Sequence, residues 1–194
     1  MSPMSIEDKH YLLQLARTVI LDHLGEKTSN PLPARSSPVF MEKRGCFVTL
    51  HSSGQLRGCI GIIEPIKTLI AGIKENAIHA GFQDPRFSPV TQKEMENITI
   101  EISILTKPVP LVFESADDLK KLLKPGVHGV ILSQGYYRST FLPQVWEQLP
   151  GTEDFLGHLC QKAGMEKTCW KDTKTAVEVY EVSAFSEKDM NQNL

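Results

Sequence analysis

Residues 54–61, with the sequence GQLRGCIG, hold the residue types best suited to chemistry in this chain. Cys59 lies between Gly58 and Gly61, and Arg57 precedes it by two positions. A thiolate is a nucleophile, and a nearby guanidinium group favours the thiolate over the thiol. Glycine weakens a strand unless another backbone or a ligand must come close. The two glycines therefore indicate a site rather than a strand kept only for packing.

Cys59 and Arg57 each have a chemical and a structural interpretation. Cys59 is a nucleophile, redox thiol or metal ligand, or it is a small buried hydrophobe, as free cysteines often are. A nucleophilic cysteine usually needs a histidine base. His51 is predicted on the same strand face, so a Cys59–His51 dyad is a hypothesis that no recognised spacing supports. Arg57 either binds a carboxylate or phosphate or forms a salt bridge to Glu101 or Asp84.

Three further charged residues are candidates for the same site. Asp84 and Arg86 flank Pro85 in a loop, where they either line a binding site or form a structural turn. Glu101 alternates with isoleucines on a predicted strand, and it is either a solvent-side residue or part of a polar cluster with Arg57. The sequence contains no H-x-x-x-H, C-x-x-C or paired-carboxylate motif, so we expect neither a metal nor another cofactor.

The bulk composition narrows the class of protein. The formal net charge of −2 over 194 residues argues against sequence-independent nucleic-acid binding, which needs excess Lys and Arg. No apolar run approaches the ~20 residues of a membrane span, and the first residues show no signal-peptide pattern. We therefore expect a cytoplasmic protein without a membrane partner. The cysteines at 46, 59, 160 and 169 show no paired spacing, so we expect reduced thiols.

The elements that must position these residues follow from hydrophobic periodicity. Strands occur as hairpins and are segregated from helices, which predicts an α+β fold with a largely antiparallel sheet flanked by helices. We expect one domain over 1–194, with a proline-rich connector over 28–38 and a flexible tail over 186–194. Helices are predicted over 6–24, 66–80, 115–124 and 152–163, and strands over 45–51, 55–63, 98–105, 127–133, 136–142 and 176–184.

The first hairpin has a predicted register. A three-residue loop, Ser52 to Gly54, with Gly54 in the left-handed region, is a common connection. This loop separates an apolar from a polar face and puts Cys46 and Cys59 on opposite faces, so they should not form a disulfide. A one-residue slip would mix the two sets. The apolar face is Cys46, Val48, Leu50, Leu56, Gly58 and Ile60, and the polar face is Phe47, Thr49, His51, Gln55, Arg57 and Cys59.

Six segments, in the same order along most of the chain, resemble the AMMECR-domain family. The resemblance implies an α+β fold with a larger lobe, a smaller lobe and a cleft between them, and a family without an established reaction. It also implies a pathway shared with Memo-like and radical-SAM-like proteins, which are the expected partners. The segments are GCFVTL (45–50), LRGCIG (56–61), DPRFSPV (84–90), EISIL (101–105), FLPQVW (141–146), and FL followed by LCQKAG (155–164).

The sequence is compatible with two main functions and with a third that it supports less well. The first is an enzyme or modification-pathway component whose cleft acts on a small anionic or carbonyl substrate. In it, Cys59 is the nucleophile or redox thiol, Arg57 anchors the anion, and Asp84 or Arg86 lines the cleft. The alternative is a non-catalytic protein-binding or scaffold module, in which the glycines admit a partner's backbone. Nucleic-acid binding is weaker because of the net charge.

Overall fold

The computed structural model describes residues 4–26 and 32–191, and the connector predicted over 28–38 lies partly outside this range. The chain divides into two compact units: residues 1–105 with 183–194, and residues 106–182. Each unit contains its own four-stranded antiparallel sheet and its own core. The α+β class is thereby confirmed, whereas the cleft implied by the family resemblance stays a prediction. No helix within the described ranges is long and apolar enough to cross a membrane.

Within the described ranges, thirteen α-helices and β-strands form the two units. The order of strands is β2-β1-β3-β8 in the first sheet and β4-β7-β5-β6 in the second. In chain order the elements are α1 (Ile6–His23), β1 (Cys46–Ser52), β2 (Gln55–Ile62), α2 (Leu69–Phe82), β3 (Ile98–Leu105), β4 (Val109–Pro110), α3 (Ala116–Leu122), β5 (Gly129–Gln134), β6 (Tyr137–Phe141), α4 (Thr152–Lys162), β7 (Ala176–Tyr180), β8 (Val182–Ser186) and α5 (Glu187–Asn191).

One face of the first sheet packs against α1 and α2. Ser5 caps α1, because its Oγ accepts a hydrogen bond from the Asp8 N–H at 3.1 Å. The apolar side chains of both helices recur at helical spacing and so meet the sheet along one stripe. The fully buried residues of this core include Leu12, Ala16 and Ile20 from α1, Ile73 and Ala77 from α2, Val48 and Leu50 from β1, and Ile100 and Ile102 from β3.

The loop of the first hairpin differs from the prediction. Ser53 and Gly54 form a two-residue turn with φ of 52° and 81°, the left-handed pair that two-residue hairpins favour. Ser52 therefore pairs with Gln55, and the predicted three-residue loop is wrong.

A β-bulge then restores the predicted separation of the faces. Leu50 lies opposite Gly58 whereas His51 lies opposite Leu56, so Arg57 is an extra residue in β2. From Gly58 onward the two faces hold the residues predicted for them, although Gly58 lies opposite Leu50, where the three-residue loop would have placed it opposite Val48. Leu56, on the other side of the bulge, is 42% exposed, and its predicted place in the core is wrong.

The two glycines that flank Cys59 make room for the protein's own atoms. A Cβ at Gly58 would lie 2.1 Å from the carbonyl oxygen of Ala80 near the end of α2. A Cβ at Gly61 would lie 2.2 Å from Cγ of Phe47, its partner on β1. Close approach of another backbone and of an aromatic ring explains both glycines.

The second unit contains a disulfide, which corrects the expectation of four reduced thiols. Cys160, in α4, is bonded to Cys169, and their Cα atoms are 5.9 Å apart. Cys46 and Cys59 are free. The nine-residue separation of the bonded pair matches no motif, so only the folded positions of the two cysteines reveal the bond. Trp146 and Phe155 stack beside it in the same core, with ring centroids 3.6 Å apart.

The end of the chain also differs from expectation. The strand predicted over 176–184 is two strands, β7 and β8, which belong to different sheets and are separated at Glu181. Residues placed in the predicted tail form α5, and the Glu187 carboxylate accepts hydrogen bonds from Arg17 at 2.6 and 2.7 Å. Flexibility over 186–194 stays a prediction, and residues 192–194 lie outside the described ranges.

We expect Gly58→Ala to destabilise the protein by about 3 kcal/mol, the upper end of the usual cost of overpacking, because a backbone oxygen blocks the added methyl group. Gly81→Ala is the matched control. Gly81 is also buried and lies in α2, but its nearest atom would be 3.9 Å from the new Cβ, so its stability should change by less than about 1 kcal/mol. Urea unfolding of both variants measures the difference, and equal stabilities would contradict the packing argument.

Alkylation of the unfolded protein without reductant should label two cysteines, Cys46 and Cys59, and alkylation after reduction should label four. The reason is that a disulfide sulfur does not react with an alkylating agent. Removing the bond by replacing Cys160 and Cys169 with alanine should cost about 2–3 kcal/mol, as expected for a short loop. Peptide mass spectrometry reads the labels, and four labels without reductant would refute the bond.

Candidate functional site

The face of the first sheet turned away from α1 and α2, here called the polar face, contains four of the predicted site residues: His51, Cys59, Gly61 and Glu101. Strand pairing places its side chains in three rows that run across β2, β1 and β3. The rows are Gly61–Phe47–Ser103, Cys59–Thr49–Glu101 and Leu56–His51–Thr99.

Cys59 occupies one end of the middle row and is partly exposed. The Thr49 hydroxyl donates a hydrogen bond to its sulfur over 3.3 Å. Cys46 offers the contrast, because it is fully buried against α2 and burial raises the pKa of its thiol to about 11. Of the two free thiols, Cys59 is the one placed to meet a ligand.

His51 and Cys59 lie on the same face, but the structure contains no hydrogen bond between them. The His51 Nε2 atom lies 3.8 Å from the Glu101 carboxylate, whereas the side-chain partner of the Cys59 sulfur is Thr49. Glu101 lies opposite Thr49 on β3, on the face expected. The Cys59–His51 dyad therefore stays a hypothesis without a hydrogen bond to support it.

Asp84 fastens its loop to the outer edge of β2. Its buried Oδ2 atom accepts hydrogen bonds from the Cys59 N–H at 2.9 Å and from Arg86 Nη2 at 2.6 Å. Its Oδ1 atom accepts from the Arg86 N–H and Nε at 3.1 and 2.9 Å. The hydrogen bond from Arg86 is the main reason that the pKa of Asp84 lies well below its usual range. β2 is an edge strand, and this loop covers part of its edge.

Arg86 is the guanidinium that solvent can reach beside Cys59. Its side chain is 54% exposed, and its Nη2 atom lies 3.4 Å from the Cys59 carbonyl oxygen. The pKa of Arg86 is raised, chiefly by the hydrogen bond to Asp84 and also by the negative charge of that carboxylate. Asp84 thus holds a cation next to the thiol.

Arg57 forms its hydrogen bonds within the protein, and the predicted salt bridge to Glu101 or Asp84 is wrong. Its side chain is 13% exposed, and its Nε donates to Glu94 at 2.8 Å rather than to Glu101 or Asp84. Its Nη2 atom donates to the Ser88 carbonyl oxygen at 2.9 Å. Arg57 therefore ties the segment from Ser88 to Glu94 to the bulge in β2.

Two residues that sequence reasoning did not assign to the site take part in it. Thr49 was placed on the right face, but nothing in the sequence marks it as the partner of a thiol. Glu94 forms a capping box with Thr91 and also binds Arg57. The hydrogen bond from Arg57 is the first reason that the pKa of Glu94 falls to about 2.

The described residues contain no group of three or more His, Cys, Asp or Glu side chains arranged to hold a metal ion. What the polar face offers instead is a thiol, a hydroxyl, an imidazole and a carboxylate, with a guanidinium beside them. Such a set can bind an anion, donate hydrogen bonds and supply a nucleophile.

Fold and site together define an α+β protein of two antiparallel sheets with a cysteine on the polar face of the first. Comparison with known proteins gives this class its family: a family model described as AMMECR1 matches residues 13–185. The chain belongs to the AMMECR1 family, as its sequence motifs predicted.

Relatives extend over nearly the whole chain. An uncharacterised protein of Methanothermobacter thermautotrophicus is 40% identical over 191 residues, which cover 96% of this chain and 97% of the relative. Protein MJ0810 of Methanocaldococcus jannaschii is 40% identical over 95% of this chain and 92% of its own. The crystal structure of uncharacterised protein PH0010 from Pyrococcus horikoshii is similar, with a TM-score of 0.79, 35% identity and coverage of 92% of this chain and 90% of that one.

We expect Asp84→Asn to destabilise the protein by about 2–3 kcal/mol at pH 7, because hydrogen bonds to a charged group are lost. The native pKa of Asp84 is below the unfolded value of about 3.9, so its contribution is complete above that pH and is lost as the pH falls further. The gap between variant and parent should therefore narrow below pH 4. Urea unfolding at pH 7 and pH 3 measures it.

Asp117→Asn is the control for this experiment. Asp117 pairs with Lys120 at 2.9 Å, but its side chain is 80% exposed, so its replacement should not change stability measurably. A loss for Asp117→Asn equal to that for Asp84→Asn would show that burial of the carboxylate is irrelevant.

Proposed function

We propose that this protein is an enzyme, or a component of a modification pathway, that acts on a small anionic or carbonyl substrate at the polar face. Cys59 supplies the reactive thiol. The observation that supports this proposal best is the environment of Cys59. Its sulfur is partly exposed, the Thr49 hydroxyl lies 3.3 Å from it, and the exposed Arg86 guanidinium lies beside its strand.

The proposal transfers the anion-binding role from Arg57 to Arg86. Arg57 is largely buried: its Nε and Nη2 atoms donate to Glu94 and to the Ser88 carbonyl oxygen, and its buried Nη1 atom has no hydrogen-bond partner among the described residues. Arg86 keeps half of its surface in solvent even though Asp84 orients it. A planar guanidinium that is both fixed and exposed suits a carboxylate or phosphate group.

The chemistry proposed for the thiol is addition to an electrophilic carbon. The Cys59 thiolate adds to a carbonyl carbon, a carbon–sulfur bond forms, the C=O π bond opens, and the oxygen takes up a proton from solvent. Arg86 provides a guanidinium that can bind the anionic end of the substrate beside the thiol. Thr49 orients the sulfur through its hydrogen bond.

Two parts of the proposal rest on the family resemblance and on composition. The expected partners are Memo-like or radical-SAM-like proteins of the same pathway, and the expected compartment is the cytoplasm. The Cys160–Cys169 bond is the observation that weighs against the compartment, because disulfides are rare where thiols are kept reduced. Trapping free thiols inside intact cells before lysis tests it: cytoplasmic residence predicts that a reducing pool leaves part of this pair open to alkylation.

The test of the proposed function is the alkylation rate of each free cysteine in the native protein at pH 8. Cys59 should react at least about a hundredfold faster than Cys46, whose burial and raised pKa leave almost no thiolate. Arg86→Gln should slow Cys59 about threefold, because a favourable charge is lost. Arg44→Gln, which removes an equal charge that pairs with Glu42, is the control and should leave the rate unchanged.

The opposite result separates the two competing functions. If Cys59 reacts as slowly as Cys46, thiol chemistry is excluded and the non-catalytic binding module becomes the better account. Peptide mass spectrometry assigns each label to its cysteine.

A further inference from the structure

We propose further that the molecule bound at the polar face is zwitterionic: an amino-acid-like compound whose anionic or carbonyl end lies at Arg86 and Cys59 and whose amine lies at Glu101. This inference rests on the proposed function and adds to it the second recognition group. It follows from the placement of opposite charges on the two sides of the thiol.

The two charges lie on opposite sides of the middle row. Arg86 is held beyond the outer edge of β2 by Asp84. Glu101 is on β3, with Thr49 of β1 between it and Cys59. Neighbouring strands are about 4.8 Å apart, so β2 and β3 are separated by about 10 Å. An exposed guanidinium, itself paired with the buried Asp84, therefore lies at one side of the face, and a carboxylate lies at the other.

Glu101 differs from the other carboxylates near the site in what it binds. Asp84 and Glu94 each accept hydrogen bonds from an arginine at 2.6 to 2.9 Å. The ion-pair partner of Glu101 among the described residues is His51, and their 3.8 Å separation is longer than a hydrogen bond. With its side chain 33% exposed, Glu101 keeps capacity to accept a hydrogen bond from a ligand.

An amine is the group that this carboxylate selects. A purely anionic ligand bound at Arg86 would meet repulsion where it extends toward Glu101, whereas a ligand with an amine at that end gains an ion pair. His51 beside Glu101 adds a second polar contact on the same row as Thr99. The combination fits a compound that contains both an acid or carbonyl group and an amine.

The test reads the charge environment of Cys59 with three methanethiosulfonate reagents that differ in charge. In each case the Cys59 thiolate attacks the sulfenyl sulfur, a disulfide bond forms and methanesulfinate leaves. The 2-aminoethyl reagent is cationic, the 2-sulfonatoethyl reagent is anionic and the methyl reagent is neutral. Dividing each charged rate by the neutral rate removes differences in thiol reactivity and in folding between variants.

Glu101→Gln should lower the ratio of the cationic to the neutral rate about fivefold at low ionic strength, the effect of one pair of unit charges about 4 Å apart in water. The loss should shrink as salt is added. Glu101→Asp, which keeps the charge, should keep most of the ratio. Glu96→Gln, at an exposed carboxylate of the same unit, is the control and should not change it.

Each outcome decides between the two proposals. If Cys59 reacts with the neutral reagent but Glu101→Gln and Glu96→Gln leave the cationic ratio the same, the zwitterionic substrate is refuted and the proposed thiol function stands. If Cys59 reacts with none of the three reagents, both proposals fail. A fivefold loss confined to Glu101→Gln supports the amine subsite.

Discussion

The buried carboxylate of Asp84 is the interaction on which the candidate site depends. It accepts the N–H of Cys59 from the open edge of β2 and at the same time binds the guanidinium of Arg86. This one side chain thus accepts a backbone N–H at the edge of β2, holds the loop against that edge and positions a guanidinium beside the Cys59 thiol. A buried carboxylate is stable only when such donors bind it. The loop therefore depends on the edge of β2 for a hydrogen-bond donor, and the edge of β2 depends on the loop for an acceptor.

The bulge at Arg57 determines which side chains of β2 face the core. A two-residue turn alone would put the polar side chains of β2 into the core, and the extra residue reverses this beyond Arg57. Arg57, the extra residue of the bulge, donates hydrogen bonds to Glu94 and to the Ser88 carbonyl oxygen. Asp84 and Arg57 therefore hold the two ends of one segment against β2, and Cys59 lies on the strand that both hold.

Local signals in the sequence predicted the features that depend on local physics. The helix that begins after Ser5 and the two faces of β1 follow from periodicity and side-chain type. The partner of Arg57 lies 37 residues further along the chain, and the nine-residue separation of Cys160 and Cys169 matches no motif, so no spacing rule predicts either pairing. The division between β7 and β8 escaped prediction because one continuous alternating pattern serves two sheets, and the change of sheet at Glu181 leaves no glycine or proline as a signal.

The place of β8 in the first sheet has a consequence for the order in which the units are completed during synthesis. The chain leaves the first unit after β3 and returns to it only at β8, which is the neighbour of β3 in the sheet. Residues 106–182 are an insertion between two adjacent strands, so the unit that starts later is the first to be fully made. The ribosome must release the chain as far as β8 and α5 before the earlier unit gains its last strand and the Arg17–Glu187 ion pair. Until then the edge of β3 that β8 will occupy is exposed and open to pairing with another strand.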